Sequence, residues 1–104
     1  MSLAMVELGH IVEKVRSKNA GPFWLTVDIF CGTPGAYAQV VAGVETARVA
    51  ALFGVSPATI KRFDIAALNV IKFSVPRPVV QGTRADRDMH GAGWAVLIEE
   101  MAIT

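Results

Sequence analysis

Phe23-Trp24-Leu25-Thr26-Val27-Asp28-Ile29-Phe30 has a period of two: Phe23, Leu25, Val27 and Ile29 face one way, Trp24, Thr26, Asp28 and Phe30 the other. Successive side chains of a strand point to opposite faces of its sheet, so the octapeptide predicts a strand with one buried face and one partly covered face. Just upstream lies Arg16-Ser17-Lys18-Asn19-Ala20-Gly21-Pro22. Asn19 and Gly21 both tolerate positive φ, and Pro22 forbids a helix to continue through it. Further upstream, Leu8, Ile11, Val12 and Val15 fall at i, i+3, i+4 and i+7. That spacing predicts a helix over residues 6–17, with Lys14, Arg16 and Lys18 near its C-terminal end, where cations suit the helix dipole.

Downstream, Thr33-Pro34 reads as an N-cap and first helical residue. Tyr37, Val40, Val41 and Val44 continue that helix until Gly43 interrupts it, and Thr46 to Phe53 predicts a second helix stopped by Gly54. Residues 60–65 and 67–75 read as two strands joined by a tight turn near Ala66, with Ile71, Phe73 and Val75 inward. Pro76-Arg77-Pro78 ends the second, because proline has no N–H to give a ladder. A long irregular segment over 76–93 follows, and Leu97, Glu99, Met101 and Ile103 predict a last strand. The sum is an α+β domain: a small, mostly antiparallel sheet with helices packed on one face.

The chain's 104 residues suit one domain, with residues 1–4 read as a non-native or disordered extension of it. Of these residues 53% are apolar and only 18% charged, so part of the surface is expected to be hidden against another copy, in a homo-oligomer. No apolar run approaches a membrane span, and the N-terminus lacks a signal peptide's basic-then-apolar order. One cysteine, Cys31, excludes an internal disulfide and fits a cytoplasmic protein; at the end of an apolar strand it reads as a small buried residue. A net charge of +1 gives no global field toward nucleic acid or anionic lipid. The histidines and the cysteine have no metal-ligand spacing, and no glycine pattern marks a phosphate loop or dinucleotide site, so neither metal nor cofactor is expected.

Two constellations remain. Val49 to Arg62 resembles the helix-turn-helix core of bacterial repressors, with an Ala-rich helix, Gly54 in the turn, Ser56 as N-cap and Thr59, Lys61 and Arg62 beyond. A DNA-binding module through residues 47–63 would need a third helix beside it, and the flanks read as strands and loops. The second constellation joins Ser17, Lys18 and Asn19 to Arg77, Arg87 and Asp88. Arg77 between two prolines presents a planar donor fork at low entropic cost, suited to a carboxylate or phosphate. Arg77 could equally pair with Asp28 or Asp86. Acid–base chemistry in the same pocket would fall to His90, in the irregular polar segment, and to Asp28, a carboxylate among hydrophobes.

Arg16-Ser17-Lys18-Asn19-Ala20-Gly21-Pro22-Phe23, Thr26-Val27-Asp28-Ile29, Pro76-Arg77-Pro78 and Asp86-Arg87-Asp88 with Gly91 resemble a small bacterial family of unknown function. Its members occur as free chains of about this length, or joined to or encoded with AtuA-type acyclic terpene utilisation proteins. The resemblance spans about Val6 to Ile103. It implies a cytoplasmic accessory or small-subunit domain of a catabolic system, binding a small anionic ligand (carboxylate or acyl-CoA type) or a larger AtuA-type partner. Cys31-Gly32-Thr33-Pro34 and Ala92-Gly93-Trp94 depart from the family's pattern, which has an acidic turn at the first place and glutamines at the second.

Overall fold

The computed structural model describes residues 5–77 and 93–103. In chain order the elements are β1 (Val6–Glu7), β2 (Lys14–Asn19), β3 (Trp24–Phe30), α1 (Pro34–Gly43), α2 (Thr46–Phe53), β4 (Lys61–Ile65), β5 (Val70–Pro76), α3 (Trp94–Glu99) and β6 (Ala102–Ile103). Strands β2-β3-β5-β4 form an antiparallel four-stranded sheet in that order, and β1 pairs with β6 in a separate two-stranded one. The α+β class and the helices packed against the sheet are as the sequence predicts.

The period of two in β3 and β5 is what builds the core. Leu25, Val27 and Ile29 lie opposite Val75, Phe73 and Ile71, and all six are fully buried. Val15 of β2 extends the row, and Val40, Val49, Phe53 and Ile98 from the three helices, with Val44 just past the end of α1, cover it. Each fully buried aliphatic or aromatic side chain contributes roughly 1.5–3 kcal/mol, so this face decides the register. Phe23, expected with the buried set, sits in the turn and is exposed.

The helix expected over residues 6–17 does not form. Leu8, Gly9 and His10 make a single 3-10 turn, Glu13 N–H reaches Phe30 O at 2.9 Å, and from Lys14 the chain is a strand paired to β3 over six residues. The expected stripe still faces inward, with Leu8, Val12 and Val15 buried and Ile11 half-buried against them. A 3-10 turn followed by a strand reproduces the same spacing. Gly9 and the β-branched Ile11, Val12 and Val15 are weak helix formers, and isolated helices this short are marginal, so the ladder with β3 wins. The punctuation at Asn19–Pro22 therefore closes a hairpin, with Gly21 at φ 83° and Ala20 N–H donating to Trp24 O at 2.9 Å.

Thr33 caps α1 as predicted, its hydroxyl accepting from Ala36 N–H at 3.1 Å. α2 ends at Gly54 in the left-handed conformation. Beyond it, residues 57–59 make one 3-10 turn and residues 61–65 are strand β4, so the second helix of a helix-turn-helix is missing from 47–63. The β4–β5 turn closes through a 3-10 turn at Ala66–Leu68 and Asn69 at φ 54°. The last strand expected around 97–103 is instead α3 followed by the two-residue β6. Ala95 and Ile98, three apart, are the buried pair there, and that spacing is helical rather than alternating.

Candidate functional site

The predicted two-segment site rests on strand pairing. β2 carries Ser17 and Asn19 on the face that the helices cover, because they lie opposite Val27 and Leu25. Arg77 leaves the end of β5, and its N–H bonds Phe23 O at 2.8 Å, continuing the ladder one residue past Pro76. The residue is only 8% exposed, and its guanidinium Nη1 donates to Asn19 Oδ1. The residues on either side of the first hairpin and at the end of β5 thus meet, 58 positions apart in sequence. A guanidinium buried this far must be hydrogen-bonded, because an uncompensated charge there costs several kcal/mol.

Ser17 is bound to the third element of this corner. Its hydroxyl, 4% exposed, accepts from Ala95 N–H at 2.9 Å. That amide lies in the first turn of α3, where no intrahelical partner exists, so a residue of β2 caps a helix 78 positions away. Ser17→Ala should lower unfolding free energy by about 1–2 kcal/mol, as loss of a capping hydroxyl does, and speed amide exchange at Ala95. An unchanged denaturant midpoint would mean the contact carries no weight.

The remaining predicted residues divide. Lys18 and Asp28 lie on the opposite face of the sheet from Ser17, Asn19 and Arg77, since strand alternation turns them away. Asp28 stands in register between Arg16 and Lys72, beyond ion-pair distance of both. The structure therefore joins Ser17, Asn19 and Arg77 and separates Lys18 and Asp28 from them. Arg87, Asp88 and His90 lie outside the described residues.

Other features frame what this corner can do. Cys31 is 3% exposed, and burial pushes its thiol above the ordinary range, so it is a poor nucleophile. A groove of about 410 Å3 lies away from Arg77, lined by Glu7, His10, Glu13, Lys14, Glu99 and Glu100 among others, and its acidity is unsuited to an anionic ligand. His10 Nε2 is 3.8 Å from Glu7 Oε2 at its exposed rim. No cluster of three metal-ligating side chains occurs among the described residues, and no helix there is long and apolar enough to cross a membrane.

Arg62, which the repressor-like reading puts beyond the turn, and Arg48, which the sequence does not single out, both organise the fold. Arg62 sends Nη1 to Val44 O at 2.6 Å, Nη2 to Val41 O at 3.4 Å and Nε to Asp64 Oδ1 at 2.8 Å. Arg48 donates to Gly43 O at 3.1 Å and Ala102 O at 2.6 Å. Both take carbonyls at the end of α1, which have no partner within the helix. The available signal for Arg62 was its spacing from Asp64: two apart on a strand places a cation and an anion on one face.

No curated protein and no solved structure matches the chain. The model of a family described as a domain of unknown function (DUF4387) matches residues 8–101, from the first core residue to the edge of the last strand, and the chain belongs to that family.

Proposed function

We propose that the chain is an accessory or small-subunit domain of a cytoplasmic catabolic system, whose corner at Ser17, Asn19 and Arg77 holds the carboxylate or acyl-CoA-type group of an anionic metabolite. A larger AtuA-type protein is the partner that this reading implies, and the domain itself is expected to self-associate. The observation that carries the reading is the convergence of the two most distinctive segments of the chain on a buried arginine. An arginine held by an amide oxygen keeps a fixed fork orientation, and a fixed fork recognises a carboxylate better than a mobile ammonium does. Arg87 and Asp88 belong to the same proposed site. The separation of Asp28 from Arg77 disfavours the enzyme reading in which those two act in one pocket.

The test is calorimetric titration of the protein with acetate, succinate and coenzyme A, repeated on Arg77→Lys. Lysine keeps the charge but loses the fork. At least one probe should bind the unsubstituted chain, and Arg77→Lys should weaken it about tenfold, or about 1.4 kcal/mol. If none of the three binds, or if Arg77→Lys lowers only the melting temperature, Arg77 is a structural brace and the ligand reading fails.

A further inference from the structure

The sheet face turned away from the helices carries a charge pattern that net charge conceals. By register, Lys14, Phe30, Val70 and Ile65 form one row across it; Arg16, Asp28, Lys72 and Phe63 form the next; Lys18, Thr26, Ser74 and Lys61 form the third. All four lysines of the chain and Arg16 therefore stand on this face, against one carboxylate among the described strand residues, Asp28. The first row is apolar from Phe30 to Ile65, with the Lys14 ammonium 4.9 Å from the Phe30 ring centre at its edge. Phe63 is 51% exposed beside that row, and Trp24 is 39% exposed at the far end. Among the described residues, no helix packs on this side.

We infer that this face docks an acidic surface of a partner protein: an apolar ridge laid along the Phe30-Val70-Ile65 row and carboxylates over the cationic edges. This goes beyond the anion corner, which lies on the opposite face. Charge selects the occupant. A twofold pairing of two copies through this face would set five cations against five, which excludes a second copy in that arrangement. An apolar centre with a charged rim is the anatomy of a protein interface. Single-stranded nucleic acid would use neighbouring aromatic platforms, but Phe30, Phe63 and Trp24 stand in three different rows of this face, and the row through Phe30 continues into the aliphatic Val70 and Ile65. Thr26 Oγ1 and Asp28 Oδ1, near the middle of the face, are shielded from solvent and make no hydrogen bond among the described residues. Their desolvation is already incurred, so a partner covering the face does not add it.

The experiment uses three probes in 50 and 300 mM salt: an 18-residue peptide of glutamate with leucine at i, i+3, i+4 and i+7, a scrambled isomer of equal charge, and an 18-nucleotide oligothymidylate. Backbone amide shifts of the labelled protein report binding, and sedimentation reports self-association. The amphipathic peptide should shift amides of β3, β5 and β4 and bind at least fivefold tighter than its isomer. Lys61→Glu with Lys72→Glu, checked for native circular dichroism, should weaken it about tenfold, while Arg77→Lys leaves it unchanged. Equal binding of the two peptides, tighter binding of the oligonucleotide, no binding at all, or self-association abolished by the double substitution would each overturn the assignment.

Discussion

Phe73→Ala should cost about 3–5 kcal/mol, the range for removing a buried aromatic ring from a core that cannot collapse around the void. Phe73 is fully buried in β5, the strand that joins β3 to β4, and it lies opposite Val27 on one side and Arg62 on the other. Its ring also supports the Arg62 guanidinium, 5.4 Å from the ring centre. A domain of this size has about 5–15 kcal/mol of total stability, so one substitution removes roughly a fifth of it or more. Urea unfolding should show the midpoint fall sharply with the slope unchanged, whereas Phe73→Leu should cost about 1–2 kcal/mol. A loss below about 1 kcal/mol for alanine would place Phe73 outside the core.

Legibility followed the range over which each interaction acts. β3 and β5 could be read because alternation is local and because six apolar residues meet across one pair of strands. Thr33-Pro34 marked the start of α1 by capping chemistry that needs only a few neighbouring residues. Residues 6–17 were misread because Leu8, Ile11, Val12 and Val15 satisfy two geometries, and the choice lies with β3, which offers Lys14–Asn19 a complete ladder. Leu97 to Ile103 has the converse difficulty: Met101 and Ile103 do alternate into the core, but ahead of them Ala95 and Ile98 reach it at helical spacing while Leu97 and Glu99 stay only partly buried. At the candidate site, backbone punctuation at Asn19–Pro22 and Pro76 marked both halves of the corner. The cap from Ser17 to Ala95 had no local trace, because it depends on how α3 returns to β2.

Arg62 is the residue for which the two readings of the sequence predict opposite outcomes. On a recognition helix it would project into solvent, and its removal would leave stability untouched. In the structure its side chain is 18% exposed and its guanidinium joins the end of α1, β4 and the Phe73 ring. Arg62→Ala strips the charged donor from Val44 O and Val41 O, carbonyls that the helix itself cannot satisfy. Hydrogen bonds to a charged group are worth roughly 1.5–3 kcal/mol, and the abandoned acceptors add to the loss, so the expected cost is about 2–4 kcal/mol. For a domain of this size each kcal/mol moves the melting temperature by about 4–8 °C, so a fall of about 8–32 °C should be seen. Asp64 is more exposed, and Asp64→Asn should cost under about 1 kcal/mol, because a partly solvated pair contributes little. Arg62→Lys should recover only part of the loss, since one ammonium cannot span Val41 O, Val44 O and Asp64 together. A melting temperature unchanged in Arg62→Ala would show that α1 ends without this arginine and would remove the brace that ties the helical layer to the β4 edge.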